Sequence, residues 1–268
     1  MDEGQSGQNL DEADRICAVT GLALVPSNGE FAWRIAKESW GPLNPLQRTV
    51  KMPRGQWGRY DVLGHRTIYA GDPQEGAYAE SIAFARPAID IELSELFDDD
   101  TYFGSLKEEA IKEWADRDHM SVGQVAAGWR QERLIYRLTL PKAGWFVDIE
   151  DSSSISAIIK NLRPALSMAG VEQLTTSHLR GEDRALTTSI AEWIHKQVLD
   201  DGSLPLGIVY GSKHDSHWTN WAVWLRAVDD GKDVAAEPTR AGVGEMIDEP
   251  VRNPPLRKVC DLFNLHCH

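Results

Sequence analysis

The chain has 268 residues, 42% hydrophobic and 26% charged, the balance of a folded globular protein, which excludes disorder over its whole length. A formal net charge of −13 argues against unspecific nucleic-acid binding, which runs on clustered Lys and Arg, and makes any arginine in a cleft a local positive spot in a negative field. No run reaches the roughly 18–20 apolar residues of a membrane span.

Residues 1–15, MDEGQSGQNLDEADR, are acidic and polar and read as a disordered arm. They have neither the basic nor the apolar region of a signal peptide. Cys17, Cys260 and Cys267 are too few and too scattered for a disulfide framework, so a cytoplasmic setting is expected. Residues 16–30 read as a short helix or strand ending at the turn cluster Pro26-Ser27-Asn28-Gly29. The run from Phe31 to Ile35 reads as a strand with an embedded arginine, Arg34. Pro42, Pro45 and Pro53 make the passage from Trp40 to Gly58 a loop. After a turn at Gly64, Thr67-Ile68-Tyr69-Ala70 is a short strand. Gly71-Asp72-Pro73 then turns the chain, because Pro fixes φ and Asp bonds its own backbone. A helix is expected from Gly76 to Phe84, with Pro87 as its stop.

The stretch from Asp90 to Asp99 is acidic, and Leu106, Ala110, Ile111 and Trp114 have helical spacing. From Arg133 to Leu140 polar and apolar residues alternate as in a strand; Trp145 to Ile149 is another, and Pro141-Lys142-Ala143-Gly144 between them reads as a hairpin connection. Ser152 to Leu162 has serine caps and Ile155, Ile158, Ile159 and Leu162 on one face, so a helix is expected. The clearest helical pattern runs from Glu182 to Leu199 and stops at Asp200-Asp201-Gly202. Leu206 to Ser212 and Trp221 to Leu225 read as buried strands, 231–253 as loop, and Arg257 to Leu265 as a closing helix. Interspersed strands and helices give the class α/β (α+β), a mixed β-sheet core with flanking helices. The spacing of three in Trp218, Trp221 and Trp224 suits neither a strand nor a clean helix, so these are expected to be core plus loop.

The chain has no GxGxxG, Walker loop, HExxH or nucleophile elbow, and Gly242-Val243-Gly244 lacks a third glycine. His214, Asp215 and His217 lie within four residues, and His266-Cys267-His268 ends the sequence, but a zinc site wants three or four ligands on rigid elements, so no metal is expected. Ser212 beside Lys213-His214 hints at a nucleophile, yet neighbours on a strand face opposite ways and no orienting acid is evident.

The most informative stretch is GRYDVLGHRTIYAGDPQEGAYAES, from Gly58 to Ser81. Arg59 beside an aromatic, Tyr69 at a strand end and Glu80 in the following helix can converge on one cleft. Together they offer a fork for phosphate, a flat face for a ring and an acceptor for hydroxyls. Singly, each has an ordinary explanation: a solvated arginine, strand packing, and a first-turn helix acid favoured by the dipole. Their order and spacing, with Gly207-Ile208-Val209-Tyr210-Gly211-Ser212 downstream, resemble the RES domain: a Gly-Arg-aromatic step, a tyrosine, a glutamate, and a strand of the form G-I-x-Y-x-S. Trp33-Arg34-Ile35 resembles the strand that opens these domains. The resemblance covers roughly residues 31–226, with 1–30 as an N-terminal extension, 88–132 as an insertion and 227–268 as a C-terminal extension. Tyr60-Asp61 departs from the Trp-Asn often found there.

That resemblance implies an ADP-ribosyltransferase-like fold and a bacterial toxin. Such a toxin degrades NAD+ by cleaving the nicotinamide–ribose bond, by phosphorolysis or hydrolysis, with no cofactor beyond NAD+ as substrate. The implied roles are stabilisation of an oxocarbenium-like state by Glu80, a grip on pyrophosphate by Arg59 and Arg34, stacking on or orientation of nicotinamide by Tyr69, and a hydrogen bond to ribose or carboxamide from Ser212. The implied partner is a helix-turn-helix antitoxin, for which the acidic segments would be a docking surface. The alternatives are mono-ADP-ribosyl transfer to a protein and, from another class, a non-catalytic binding module using Trp218, Trp221 and Trp224 as its surface.

Overall fold

The structure, a computed structural model, describes residues 14–86, 123–231 and 237–268. Residues 1–13 of the acidic arm, the acidic stretch from Asp90 and the helix expected from Leu106 to Trp114 lie outside the described residues; Arg15, read as part of the disordered arm, is instead a strand residue paired with Leu24. Ten strands form one curled mixed sheet: β1 (Arg15–Ile16), β2 (Ala23–Pro26), β3 (Phe31–Lys37), β4 (Thr67–Asp72), β6 (Arg133–Thr139), β7 (Trp145–Asp148), β8 (Gly207–Gly211), β9 (Thr219–Trp224), β10 (Thr239–Arg240) and β11 (Glu245–Met246). Their order is β1-β2-β7-β8-β9-β4-β3-β6-β10, with β11 also on β6. Only the β7/β8 pair in this sheet is parallel, among the described residues. β5 (Gln124–Val125) and β12 (His266–Cys267) form a separate parallel pair.

One sequence expectation fails here. The segment from Pro141 to Gly144 is not a hairpin: β6 pairs with β3, while β7 pairs with β2 and β8. Residues 26–30 and 140–144 run side by side instead, with Leu140 N donating to Glu30 O at 2.9 Å, Gly29 N to Pro141 O at 3.0 Å and Ser27 N to Gly144 O at 2.9 Å. The antiparallel pair β2/β7 thus continues round a corner into β3/β6. The reason is local chemistry. Pro141 cannot donate to a ladder, and Gly29 (φ 75°) and Gly144 (φ 104°) supply backbone that other residues adopt at a cost. This corner curls the sheet, and it builds the chain before Phe31 into that sheet.

The helices are α1 (Gln74–Ile82), α2 (Ala127–Gln131), α3 (Ser152–Asn161), α4 (Arg163–Met168), α5 (Thr176–Leu179), α6 (Arg184–His195), α7 (Arg226–Asp230) and α8 (Pro254–Phe263). Side-chain caps set several starts: Asp151 accepts from Ser153 N at 2.7 Å, Asp183 from Leu186 N at 3.0 Å, and Asn253 from Leu256 N at 3.1 Å. Asp183 therefore starts α6 later than the expected Glu182. At its far end the backbone leaves the helix at Lys196, and Leu199 N bonds Ser203 O in a turn. The polar passage after Gly231, read as loop, contributes the two short strands on β6.

Three apolar clusters hold these layers. The largest packs one sheet face against α3 to α6 through Leu24, Val147, Ile158, Leu186, Ile190 and Trp224. A second fills the curl with Ile68, Leu138, Phe146, Trp221 and Val223. A third joins α1 to α8 through Tyr78, Ile82, Trp218, Leu256, Val259 and Phe263. Trp218, Trp221 and Trp224 are all buried, one in each cluster, so they do not form a surface. Cys260 and Cys267, scattered in sequence, face one another with Sγ atoms 2.7 Å apart. No helix among the described residues is long and apolar enough to cross a membrane.

Candidate active site

A cleft of about 240 Å³ opens where β3, β4 and α1 meet the loop ending at Tyr60, and Arg34, Arg59, Tyr69 and Glu80 all line it. Four of the five residues singled out in the sequence therefore share one cavity. The fifth, Ser212, is 1% exposed and lies behind Glu80.

Glu80 sits in the second turn of α1, and Glu75 is the acid in its first turn. The helix dipole thus gives no reason for a carboxylate at position 80. Its Oε1 accepts hydrogen bonds from Ser212 Oγ at 3.1 Å and from Asn220 Nδ2 at 3.2 Å. Oε2 has no hydrogen bond among the described residues. Close packing allows this approach: a Cβ on Gly71 would come within 2.7 Å of Asn220 Oδ1 and 3.3 Å of the Ala77 backbone nitrogen. Glycine near the end of β4 therefore lets α1 settle onto β4 with the Asn220 side chain of β9 beside it.

Ser212 is fixed from several sides. Its backbone N–H donates to Trp218 O at 2.8 Å, and its Oγ accepts from His214 N at 3.1 Å. Behind it, Arg180 grips Glu150 with two bonds, Nε to Oε1 at 2.6 Å and Nη2 to Oε2 at 2.5 Å. The same pair holds the end of β8, through Arg180 Nη1 to Ser212 O at 3.0 Å and Gly211 N to Glu150 Oε2 at 3.2 Å. Ser212 thus orients Glu80 and is not among the residues lining the cleft.

Tyr69 presents its ring to the cleft, but its hydroxyl is committed elsewhere. It donates to Asp61 Oδ1 at 2.8 Å and accepts from Tyr60 N at 2.8 Å. Asp61, itself buried, also accepts from Gly58 N at 2.7 Å and pairs with Arg48. Burial, then the Asp61 carboxylate, pushes the Tyr69 hydroxyl far above the usual phenol range, so it stays protonated. Gly58 is required by this contact, since a Cβ there would lie 2.5 Å from Tyr69 Oη. The Gly-Arg-Tyr step is therefore moulded on Tyr69, and that fit aims Arg59.

Arg59 is 6% exposed, with its guanidinium carbon 5.6 Å from the centre of the Tyr210 ring and its Nε donating to Gly181 O at 3.4 Å. Burial pulls its pKa down, but Tyr210, Tyr60, Glu80 and Glu182 outweigh that, and the net shift is upward. Arg34 donates from Nη1 to Tyr69 O at 3.1 Å, while its Nε has no partner among the described residues. Burial lowers Arg34 to about 10, against opposing pulls from Tyr69 and Asp61, so it stays cationic at neutral pH. Three arginines, Arg34, Arg59 and Arg184, thus line the cleft with the Glu80 carboxylate: the guanidinium groups can hold an anionic ligand, and the carboxylate can steady positive charge developing beside it.

Asn220, Tyr210, Asp61 and the Glu150–Arg180 pair were not among the residues singled out. The available signal was Asn220, a polar residue entering the apolar run Trp221-Ala222-Val223-Trp224, since a buried amide must find partners. The two metal candidates do not assemble. His217 Nδ1 lies 3.0 Å from its neighbour Asp215, the His266 and His268 rings meet each other, and neither segment gathers three ligands among the described residues. Comparison of the chain with protein-family models, curated proteins and solved structures finds no match.

Proposed function

We propose that the chain is an NAD+-cleaving enzyme of the RES type that breaks the bond between nicotinamide and ribose. One observation carries the proposal: Glu80, with one carboxylate oxygen held by Ser212 and Asn220, shares a single cleft with Arg34 and Arg59. The chemistry asks for that arrangement. When the glycosidic bond breaks, its electron pair leaves with the ring nitrogen, so nicotinamide departs neutral and the ribose carbon becomes cationic. A fixed carboxylate beneath that carbon stabilises the charge without reorganising. Phosphate or water then forms the new bond to the same carbon. Arg34 and Arg59 hold the pyrophosphate, and the Tyr69 ring bounds the nicotinamide side. Because Tyr69 spends its hydroxyl on Asp61, it contributes a face and not a proton. At about 240 Å³ the cleft is smaller than the roughly 300–1,000 Å³ of sites for drug-sized ligands, which suits the reacting half of the dinucleotide.

The test is incubation of the purified chain with NAD+, with and without inorganic phosphate, following free nicotinamide and the ribosyl product. Nicotinamide release is expected, and phosphate dependence separates phosphorolysis from hydrolysis. Intact NAD+ in the presence of folded protein overturns the proposal. A toxin of this kind needs restraint in its own cell, and an antitoxin partner, drawn to the acidic surface by opposite charge, completes the proposal.

A further inference from the structure

Far from the cleft in chemistry, three residues distant in sequence come together: His65 after the Arg59 loop, His195 at the end of α6, and Asp230 at the end of α7. Each offers one potential ligand atom, and these atoms lie within 4.8 Å of one another. We propose that His65, His195 and Asp230 form a binding site for a divalent transition metal of the zinc class.

The hydrogen bonds around the cluster favour a cation at its centre. His65 Nδ1 lies 3.0 Å from Leu63 O and donates to it, which turns the Nε2 lone pair of a neutral ring towards Asp230 Oδ1, only 2.7 Å away. Two lone pairs do not sit that close without a cation or a proton between them. The second observation is independent. His195 is 7% exposed, its ring centre is 4.2 Å from that of His65, and its Nε2 has no partner among the described residues. A buried ring nitrogen without a partner is rare in folded proteins. Supporting groups are in place, as metal-binding imidazoles and carboxylates require: Leu63 O orients His65, and Arg226 Nη1 lies 3.7 Å from the other Asp230 oxygen, Oδ2.

Two imidazoles and a carboxylate suit zinc better than the all-oxygen preference of calcium or magnesium. Zinc–ligand bonds of about 2.0–2.1 Å require the donors to draw closer than the 4.8 Å span, a movement open to Asp230 on its short helix. Three protein ligands leave a fourth position for water. The ion would tie the loop that carries Asp61, and so Tyr69 and Gly58, to the ends of α6 and α7.

The experiment uses the full chain stripped with a chelator, titrated with Zn2+ by calorimetry and with Co2+ followed by visible absorption. Wild type is expected to take one ion per chain and to show the intense visible bands of tetrahedral Co2+. His65→Ala and Asp230→Asn, both at partly exposed positions where folding should survive, are expected to weaken binding by about 100-fold or more, since even supporting residues typically cost 10–100-fold. A thermal melt of each variant confirms that it is folded. Absence of saturable binding by wild type, or equal binding by both folded variants, overturns the site and leaves a protonated His65–Asp230 ion pair in its place.

Discussion

Arg59 and Glu80 divide the work of the proposed cleft, and each has a distinct experimental signature. Arg59 has a planar guanidinium, is buried and lies 5.6 Å from the centre of the Tyr210 ring, so its contribution lies in a forked grip that an ammonium cannot copy. Arg59→Lys is expected to weaken NAD+ binding by calorimetry by about 10-fold or more, a loss of roughly one charge-assisted hydrogen bond, with a smaller effect on the chemical step. Unchanged binding with a collapsed rate would assign Arg59 to the transition state instead. At this scale much of the cleft lining was legible: Arg59, Tyr69 and Glu80 were singled out from residue type, order and spacing, Arg34 from the resemblance to the RES domain, and the four meet in one cleft. The hydroxyl of Tyr69 was not legible. Its partner is Asp61, a residue noted only as a departure from the RES pattern. Asn220 was hidden for a similar reason, because a strand's sequence does not say which helix carboxylate will cross its face.

Elements bring these residues into register, and the end of β8 depends on one ion pair. Glu150 and Arg180 hold Gly211 and Ser212 from behind, and Ser212 holds Glu80. Their side chains are 14% and 28% exposed, between the regimes of a surface pair and a sealed one. Glu150→Gln is expected to cost about 1–3 kcal/mol, read as a lower Tm, and to reduce kcat more than it raises KM because Glu80 loses its alignment. A variant with wild-type kcat and only a lower Tm would make the pair purely structural. The longer strands were readable, β6 from alternation and β3, β4, β7, β8 and β9 from short runs bounded by turns, while the two-residue strands β5, β10, β11 and β12 were not. The partners of the longer strands were not readable either. Proline and glycine at 141–144 signal a turn equally well for a hairpin or for a corner between two half-sheets, and only distant pairing with residues 26–30 decides.

At the scale of the whole molecule, segments outside the span of the RES resemblance are built into the fold around the cleft. β2 extends the sheet, and α8 forms the floor under α1, the helix that carries Glu80. Tyr78 Oη accepts from Asn253 Nδ2 at 2.8 Å, and Leu256, Val259 and Phe263 are buried against that helix. A chain ending at Arg252 loses these contacts, and burying each such side chain is worth about 1.5–3 kcal/mol. Loss of a cooperative melt, or a large fall in Tm, is expected by circular dichroism. A truncated chain melting like wild type would show the floor to be dispensable. No composition signal marked this role, because a closing amphipathic helix reads alike whether it supports a site or only covers a core.

The central claim is that a fixed carboxylate on α1 cleaves NAD+, and one comparison tests it most directly: nicotinamide release by wild type and by Glu80→Gln, each shown folded by its melting curve. Glutamine keeps the shape of the side chain and removes its charge. The account predicts a native melt for both proteins and a rate about 10²-fold or more lower in the variant, the scale of losing one electrostatic stabiliser. A Glu80→Gln protein that releases nicotinamide at the wild-type rate would contradict it.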